Sequence, residues 1–128
     1  LALLAIDDFP ELCRADATGS ADRLLADVSR LLGKSLREFD MVGRFGDDQF
    51  LLILPNVRVN EAMIGLERLR ETIEASATSD SGPLLTVSGG VTEYTGEDAG
   101  ALIERVRSLL AAAREAGCNR LCVNMDIF

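Results

Sequence analysis

The sequence predicts an α+β domain in which three helices pack on a central sheet of five strands, most of them antiparallel. Three segments repeat apolar residues at helical spacing, and five shorter segments are apolar and β-prone. Their order is strand, helix, strand, strand, helix, strand, helix, strand. The length fits one domain, residues 1–128, and a hydrophobic content of 48% suffices for a packed core.

The predicted strands are short. A continuous apolar run over residues 1–6 indicates a buried strand. Residues 41–45 and 50–54 flank a polar turn and indicate a β-hairpin. Residues 84–94 are strand-like around a pair of glycines, and residues 121–123 form a short last strand.

The three predicted helices are amphipathic. Apolar residues recur every three or four positions over residues 22–36, 62–73 and 102–113. Gly117 is placed to end the third helix. Residues 76–83 are polar and predict a loop.

Charge and composition argue against several classes of partner and site. The net charge of −8 argues against DNA or RNA as a partner, because binding a phosphate backbone needs a surplus of Lys and Arg. A small anionic ligand needs only two or three arginines and stays open. Three cysteines without CxxC spacing and no histidine argue against a disulfide framework or a zinc site. We expect buried thiols in a reducing cytoplasm.

No apolar run approaches the length of a membrane span, and no signal peptide is visible. We therefore expect a cytoplasmic domain with no membrane span in this segment. Because Leu1 opens directly into an apolar run, we also expect the chain to be a piece of a longer protein.

The hairpin turn carries the most informative motif, RFGDDQF at residues 44–50. It resembles the signature turn of the GGDEF family, which usually reads Arg, an aromatic or aliphatic residue, Gly, Gly, an acid, Glu, Phe. IDDF at residues 6–9 resembles the end of that family's first strand, and AGCNR at residues 116–120 resembles its closing stretch. The resemblance covers nearly the whole chain. It implies an adenylyl-cyclase-like palm fold with a ferredoxin-like βαββαβ core.

The resemblance also implies a chemistry that can be checked against the residues present. In active relatives two domains face each other, each with one GTP and two metal ions, and make cyclic dimeric GMP. One metal ligand is an acid at the end of the first strand, where this sequence has Ala5, and the other corresponds to Asp48. A methyl group cannot hold Mg²⁺. Asp7 and Asp8 are nearby, but Asp7 lies about 6.6 Å farther along the strand and is not expected to substitute.

Further positions depart from the family pattern. Asp47 replaces a glycine that lets the backbone approach phosphate, and Gln49 replaces a glutamate and cannot act as a base. Cys13 aligns with the asparagine that reads guanine, and Cys118 with a phosphate-contacting arginine. Together with Ala5, these changes predict an inactive, degenerate domain with no cofactor or metal.

Four residues of the family's active site are retained as remnants. They are Gly46, Asp48, Asp22 and Arg114, the last in place of a lysine. Asp22 corresponds to the acid that accompanies the guanine-reading asparagine. Asp48 could equally be an ordinary solvated turn residue, because Asp favours turns.

Residues 37–40, Arg37-x-x-Asp40, resemble the product-inhibition motif that forms a second site in the family. Asp40 lies four residues before Arg44, the spacing that the family uses. A guanidinium can bond O6 and N7 of guanine or clamp a phosphate, and an Asp can accept from guanine N1 and N2. Arg68 matches the arginine that completes the pocket in relatives, with Arg70 a weaker candidate. The plain alternative is a local surface ion pair worth less than about 1 kcal/mol.

Three functions therefore stay open. The first is a receptor in bacterial second-messenger signalling that binds cyclic dimeric GMP through Arg37, Asp40 and Arg68 and passes this state to attached sensor or output domains. The second is a non-catalytic dimerisation or interaction module without a nucleotide, and a homodimer fits either reading. The third is a residual cyclase that uses Asp7 with Asp48. We rank them in that order.

Overall fold

The computed structural model describes residues 1–7, 20–37, 40–46, 48–78, 86–123 and 126–127. In these ranges the helices are α1 (Ser20–Ser35), α2 (Val59–Thr78) and α3 (Ala99–Glu115). The strands are β1 (Ala2–Ile6), β2 (Met41–Arg44), β3 (Gln49–Ile53), β4 (Val87–Val91), β5 (Leu121–Val123) and β6 (Asp126–Ile127). None of these helices combines the length and apolar character that crossing a lipid bilayer requires.

The strands form one sheet in the order β2-β3-β1-β4-β5-β6. β1 lies in the middle and pairs antiparallel with both β3 and β4. β2 and β3 form the predicted hairpin, and β4 with β5 is the parallel pair among the described strands. The α+β class and the mainly antiparallel five-strand core are confirmed. The sequence did not predict β6, which has two residues and is too short to show a pattern.

β1 is apolar throughout because helices cover both of its faces. Leu4 and Ile6 pack in the cluster that holds residues of α1 and α2, whereas Leu3 and Ala5 pack with Val106 of α3 and its neighbours. A strand buried on both faces shows a continuous apolar run instead of alternation, as in this sequence. The end of β1, where a catalytic acid is expected, is therefore enclosed by the core.

The paired glycines of β4 bring α3 close to the sheet. A Cβ on Gly90 would lie 2.4 Å from the carbonyl oxygen of Val106 and 2.7 Å from the Cβ of Leu109. No side chain fits in that gap, so glycine is needed for α3 to pack directly on β4. This close packing fixes the position of the last turn of α3, which carries Arg114.

The end of α3 follows the predicted glycine stop. Gly117 has φ 121° and directly follows the cap residue Ala116. The amide of Gly117 donates to the Arg114 carbonyl and that of Cys118 donates to the Ala113 carbonyl, which is the Schellman pattern. The end of α2 differs from the prediction. This helix continues to Thr78, so the first residues of the predicted 76–83 loop are helical.

Candidate functional site

The tip of the hairpin lies beside the end of β1, as the sequence predicts. The amide of Ile6 donates to the carbonyl of Asp48 at 3.0 Å. Gly46 has φ 87°, a left-handed conformation in which glycine is unstrained. Ala5 pairs in register with Gln49 of β3. The positions that correspond to the two metal ligands are thus brought together, but one of them is a methyl group.

The surroundings of Ala5 are apolar. Its side chain is 0% exposed and belongs to a cluster with Leu3, Val106 and Leu110. In the described ranges, no group of three or more His, Cys, Asp or Glu side chains is arranged to hold a metal ion. Asp8, Cys13 and Asp47 lie outside the described residues, as does the side chain of Asp22 in α1.

Asp7, the nearby alternative ligand, has a structural role. Its side chain is buried, and Oδ1 accepts from the Ser88 hydroxyl at 2.7 Å. Oδ2 accepts from the Thr86 hydroxyl at 2.8 Å and from the Asn119 amide at 2.9 Å. The carboxylate therefore ties the end of β1 to β4 and to the loop after α3. Sequence reasoning weighed Asp7 only as a metal ligand and missed this role.

Asn119 connects that loop to α2. Its Oδ1 accepts from Arg70 Nη1 at 2.8 Å, and its Nδ2 donates to Glu74. The residue has φ 51°, so these bonds hold a left-handed backbone conformation. Arg70 also pairs with Glu67. Arg70, the weaker ligand candidate, is thus bonded to Glu67 and Asn119.

The remaining charged residues at the hairpin tip are loosely arranged. Arg114 Nη2 lies 3.7 Å from Asp48 Oδ2, too long for a hydrogen bond. Arg107 lies over the ring of Phe45, 5.1 Å from its centroid. A cavity of about 390 Å³ opens beside them. It is lined by Leu3, Gln49, Arg107, Leu110, Ala111, Arg114 and Glu115.

Arg37 and Asp40 are joined much more tightly. Arg37 Nη2 donates to Asp40 Oδ1 at 2.9 Å, and Nε lies 3.2 Å from each carboxylate oxygen. The backbone amide of Arg37 donates to Oδ2 at 2.8 Å. Nη2 also donates to the Pro55 carbonyl at 2.8 Å. The guanidinium is therefore held by a carboxylate from its own turn and by the chain just after β3.

Burial and charge differ between the two partners of this pair. The Asp40 side chain is 4% exposed and that of Arg37 is 52% exposed. The hydrogen bond from Arg37 is the main reason why the pKa of Asp40 lies below its ordinary value. Nη1 of Arg37 makes no hydrogen bond with a described residue. The arrangement presents an oriented cation to solvent.

Arg37 and Asp40 border a small cavity of about 140 Å³ between the hairpin and α2. Its lining is Leu36, Arg37, Asp40, Leu54, Val57, Glu61, Ala62, Gly65, Leu66 and Leu69. Arg68 is exposed and does not line the cavity, but it falls on the same face of α2 as Glu61 and Gly65. The structure thus brings the first two predicted ligand residues together and places the third on the adjoining helix face.

Comparisons with known proteins all identify the same family. Residues 1–120 match the family described as "Diguanylate cyclase, GGDEF domain". Diguanylate cyclase DgcP of Pseudomonas aeruginosa is 36% identical over 124 residues, which cover 94% of this chain and 18% of that protein. Diguanylate cyclase A of Treponema denticola is 26% identical over 130 residues, covering 98% and 35%. The chain thus spans about a third or less of these relatives.

Solved structures show the same fold. Diguanylate cyclase SiaD of Pseudomonas aeruginosa, crystallised with its activator SiaC, has a TM-score of 0.87 at 32% identity, covering 95% of this chain and 48% of that one. The GGDEF domain of DgcB from Caulobacter crescentus, in complex with c-di-GMP, has a TM-score of 0.88 at 24% identity, covering 95% and 75%. At that identity the second likeness establishes the fold.

Proposed function

The chain belongs to the GGDEF family of diguanylate cyclase domains, and we propose that it is a non-catalytic member that binds cyclic dimeric GMP through Arg37, Asp40 and Arg68. The observation that carries this proposal is the Arg37–Asp40 pair. A buried carboxylate holds a half-exposed guanidinium at the mouth of a cavity. Guanidinium groups held in this way suit planar recognition of guanine or phosphate.

The proposal that turnover is lost rests on the metal site. Joining two GTP molecules requires divalent ions that bridge phosphates and activate a ribose hydroxyl. Mg²⁺ takes carboxylate oxygens, and the buried methyl group of Ala5 offers none. The three hydrogen bonds that Asp7 accepts argue against its serving as a replacement. Gln49 is neutral and cannot act as the base.

The proposal that ligand binding is retained rests on chemistry that needs no metal. Arg37 supplies charge-assisted donors, and Arg68 adds a second cation from the next helix face. The DgcB domain of the same fold is described in complex with c-di-GMP. Because the net charge of this chain is −8, long-range attraction of an anion is weak and affinity must come from close contacts.

In this proposal the domain works in the cytoplasm as part of a longer protein and reports ligand occupancy to attached domains. Two copies of the surface could meet across the ligand's stacked dimeric form and give a homodimer. A non-catalytic interaction module is the second candidate. It is supported by the complex of SiaD with its activator SiaC.

Calorimetric titration tests the proposal. Wild type should bind cyclic dimeric GMP with a micromolar dissociation constant, about −8 kcal/mol. Arg37→Ala should weaken binding by roughly 5- to 150-fold, because a charge-assisted contact to guanine or phosphate is worth about 1–3 kcal/mol. Arg68→Ala should also weaken it.

Asp48→Ala is the matched control, because it removes a carboxylate at the other site and should leave binding unchanged. Absence of heat at high ligand concentration would overturn the proposal. Unchanged binding in Arg37→Ala would place the ligand elsewhere and would also overturn it.

A further inference from the structure

No close contact with a described residue requires glycine at Gly65. It lies in the interior of α2, where glycine is among the least favourable residues. Its φ is not left-handed, and a Cβ built on it would meet no atom within 4 Å. Yet Gly65 lines the cavity beside Arg37. The missing side chain therefore leaves open space on the exposed face of α2 that borders the cavity.

Glu61 lies one turn before Gly65 and lines the same cavity. Its side chain is exposed and makes no hydrogen bond or ion pair with a described residue. Asp40 is the opposite case, because its side chain is 4% exposed and both oxygens accept from Arg37. Of the two carboxylates at this cavity, Glu61 is the one available to a ligand.

We propose that, in the site of the proposed function on which this inference rests, one guanine base lies flat over Gly65 and Glu61 accepts its N1 and N2 hydrogens. A carboxylate accepts two parallel donors, and guanine presents this pair on one edge. Adenine presents one donor and one acceptor there, so the acceptor would face a carboxylate. Glu61 thereby selects guanine, and Asp40 is a positioning residue that orients Arg37.

Most residues that line the cavity are apolar, which suits contact with the flat face of a base. Leu36, Leu54 and Val57 line it together with Gly65 of α2. The volume of this cavity is about 140 Å³. Nη1 of Arg37 at the mouth is then left for O6 or N7 of the base or for a phosphate.

Two variants and a matched control test this arrangement. Gly65→Ala should raise the melting temperature by about 3–5 °C, because alanine favours helix. It should also weaken cyclic dimeric GMP binding at least about tenfold. Gly33→Ala is the control. Gly33 is also a helix-interior glycine with nothing within 4 Å of its Cβ position, but it does not line the cavity. It should raise the melting temperature and leave affinity unchanged.

Glu61→Gln tests base selection by titration with cyclic dimeric GMP and cyclic dimeric AMP. Affinity for the guanine ligand should fall about 5- to 50-fold, and the preference over the adenine ligand should shrink by a similar factor. Glu61→Asp should restore part of the preference. A purely structural role for Glu61 would change stability without changing this ratio.

The outcomes separate this inference from the proposed function. If wild type gives no heat, both are overturned. If wild type binds and Arg37→Ala weakens binding, while Gly65→Ala and Glu61→Gln bind with unchanged affinity and preference, only this inference is overturned.

Discussion

The surface at Arg37 and the hairpin tip at Asp48 carry the same kind of residues but hold them at different distances. Arg37 contacts Asp40 at 2.9 Å, whereas Arg114 and Asp48 approach only to 3.7 Å. The first pair comes from one turn of the chain, so local geometry is enough to keep it. The second site needs groups from β1, the hairpin and α3 together. In the proposed function, Ala5 removes one of the groups that such a site needs, and Asp47 and Gln49 alter two more.

The largest expected effect is the absence of turnover. Incubation with GTP and Mg²⁺ or Mn²⁺ should yield no detectable cyclic dimeric GMP, measured by chromatography beside an active diguanylate cyclase. Ala5→Asp alone should also fail, because Asp47 and Gln49 are unchanged. Product formed by the wild type and lost in Asp48→Ala would show that the hairpin tip is still a working site.

A smaller effect is expected on the free energy of unfolding, where the two acids near the end of β1 should differ. Asp7→Ala should lower the free energy of unfolding by about 1–3 kcal/mol, because it leaves buried donors of β4 and the Asn119 amide unpaired. Asp48→Ala should stay within about 0.5 kcal/mol, since its ion pair is long and partly exposed. Urea denaturation measures both. Equal effects would mean that Asp7 is not the anchor described above.

The smallest effect concerns how the Arg37–Asp40 pair changes the folding stability at low pH. The hydrogen bond from Arg37 lowers the pKa of Asp40 below its ordinary value. A carboxylate with a lowered pKa contributes stability that is complete above its unfolded pKa and is lost as pH falls through the folded one. Asp40→Asn should therefore remove a contribution of less than about 1 kcal/mol that wild type loses below about pH 4.

Denaturation in urea from pH 6 to pH 3 measures that contribution. Asp27→Asn is the control, because Asp27 forms an exposed i,i+3 pair with Arg30. It should leave the pH profile like that of the wild type. An Asp40→Asn profile that stays parallel to wild type below pH 4 would contradict the coupling of Asp40 to Arg37.

Local sequence patterns were enough to predict most of the fold. β1 could be predicted because both of its faces are buried, which leaves a continuous apolar run. The hairpin could be predicted because a polar turn separates two apolar runs. Arg37 and Asp40 are three positions apart, so the pair is visible as a motif. The short β6 and the extension of α2 to Thr78 left no comparable signal.

Long-range polar contacts could not be predicted. Asp7 reaches Thr86, Ser88 and Asn119, which are 79, 81 and 112 residues away in sequence. No periodicity links such positions, so the sequence analysis weighed Asp7 only as an alternative metal ligand and missed its role as an anchor. Gly65 likewise gave no signal, because its meaning depends on a cavity formed by α2, the chain after β3 and Arg37.

Mapping the ligand by amide chemical shifts tests the contrast between the two regions most directly. On titration with cyclic dimeric GMP, the largest shifts should fall on Arg37, Asp40 and residues 61–69, and those of Gly46, Asp48 and residues 114–119 should stay small. Shifts concentrated at the hairpin tip and the end of α3, with Arg37 and Gly65 unmoved, would contradict the account.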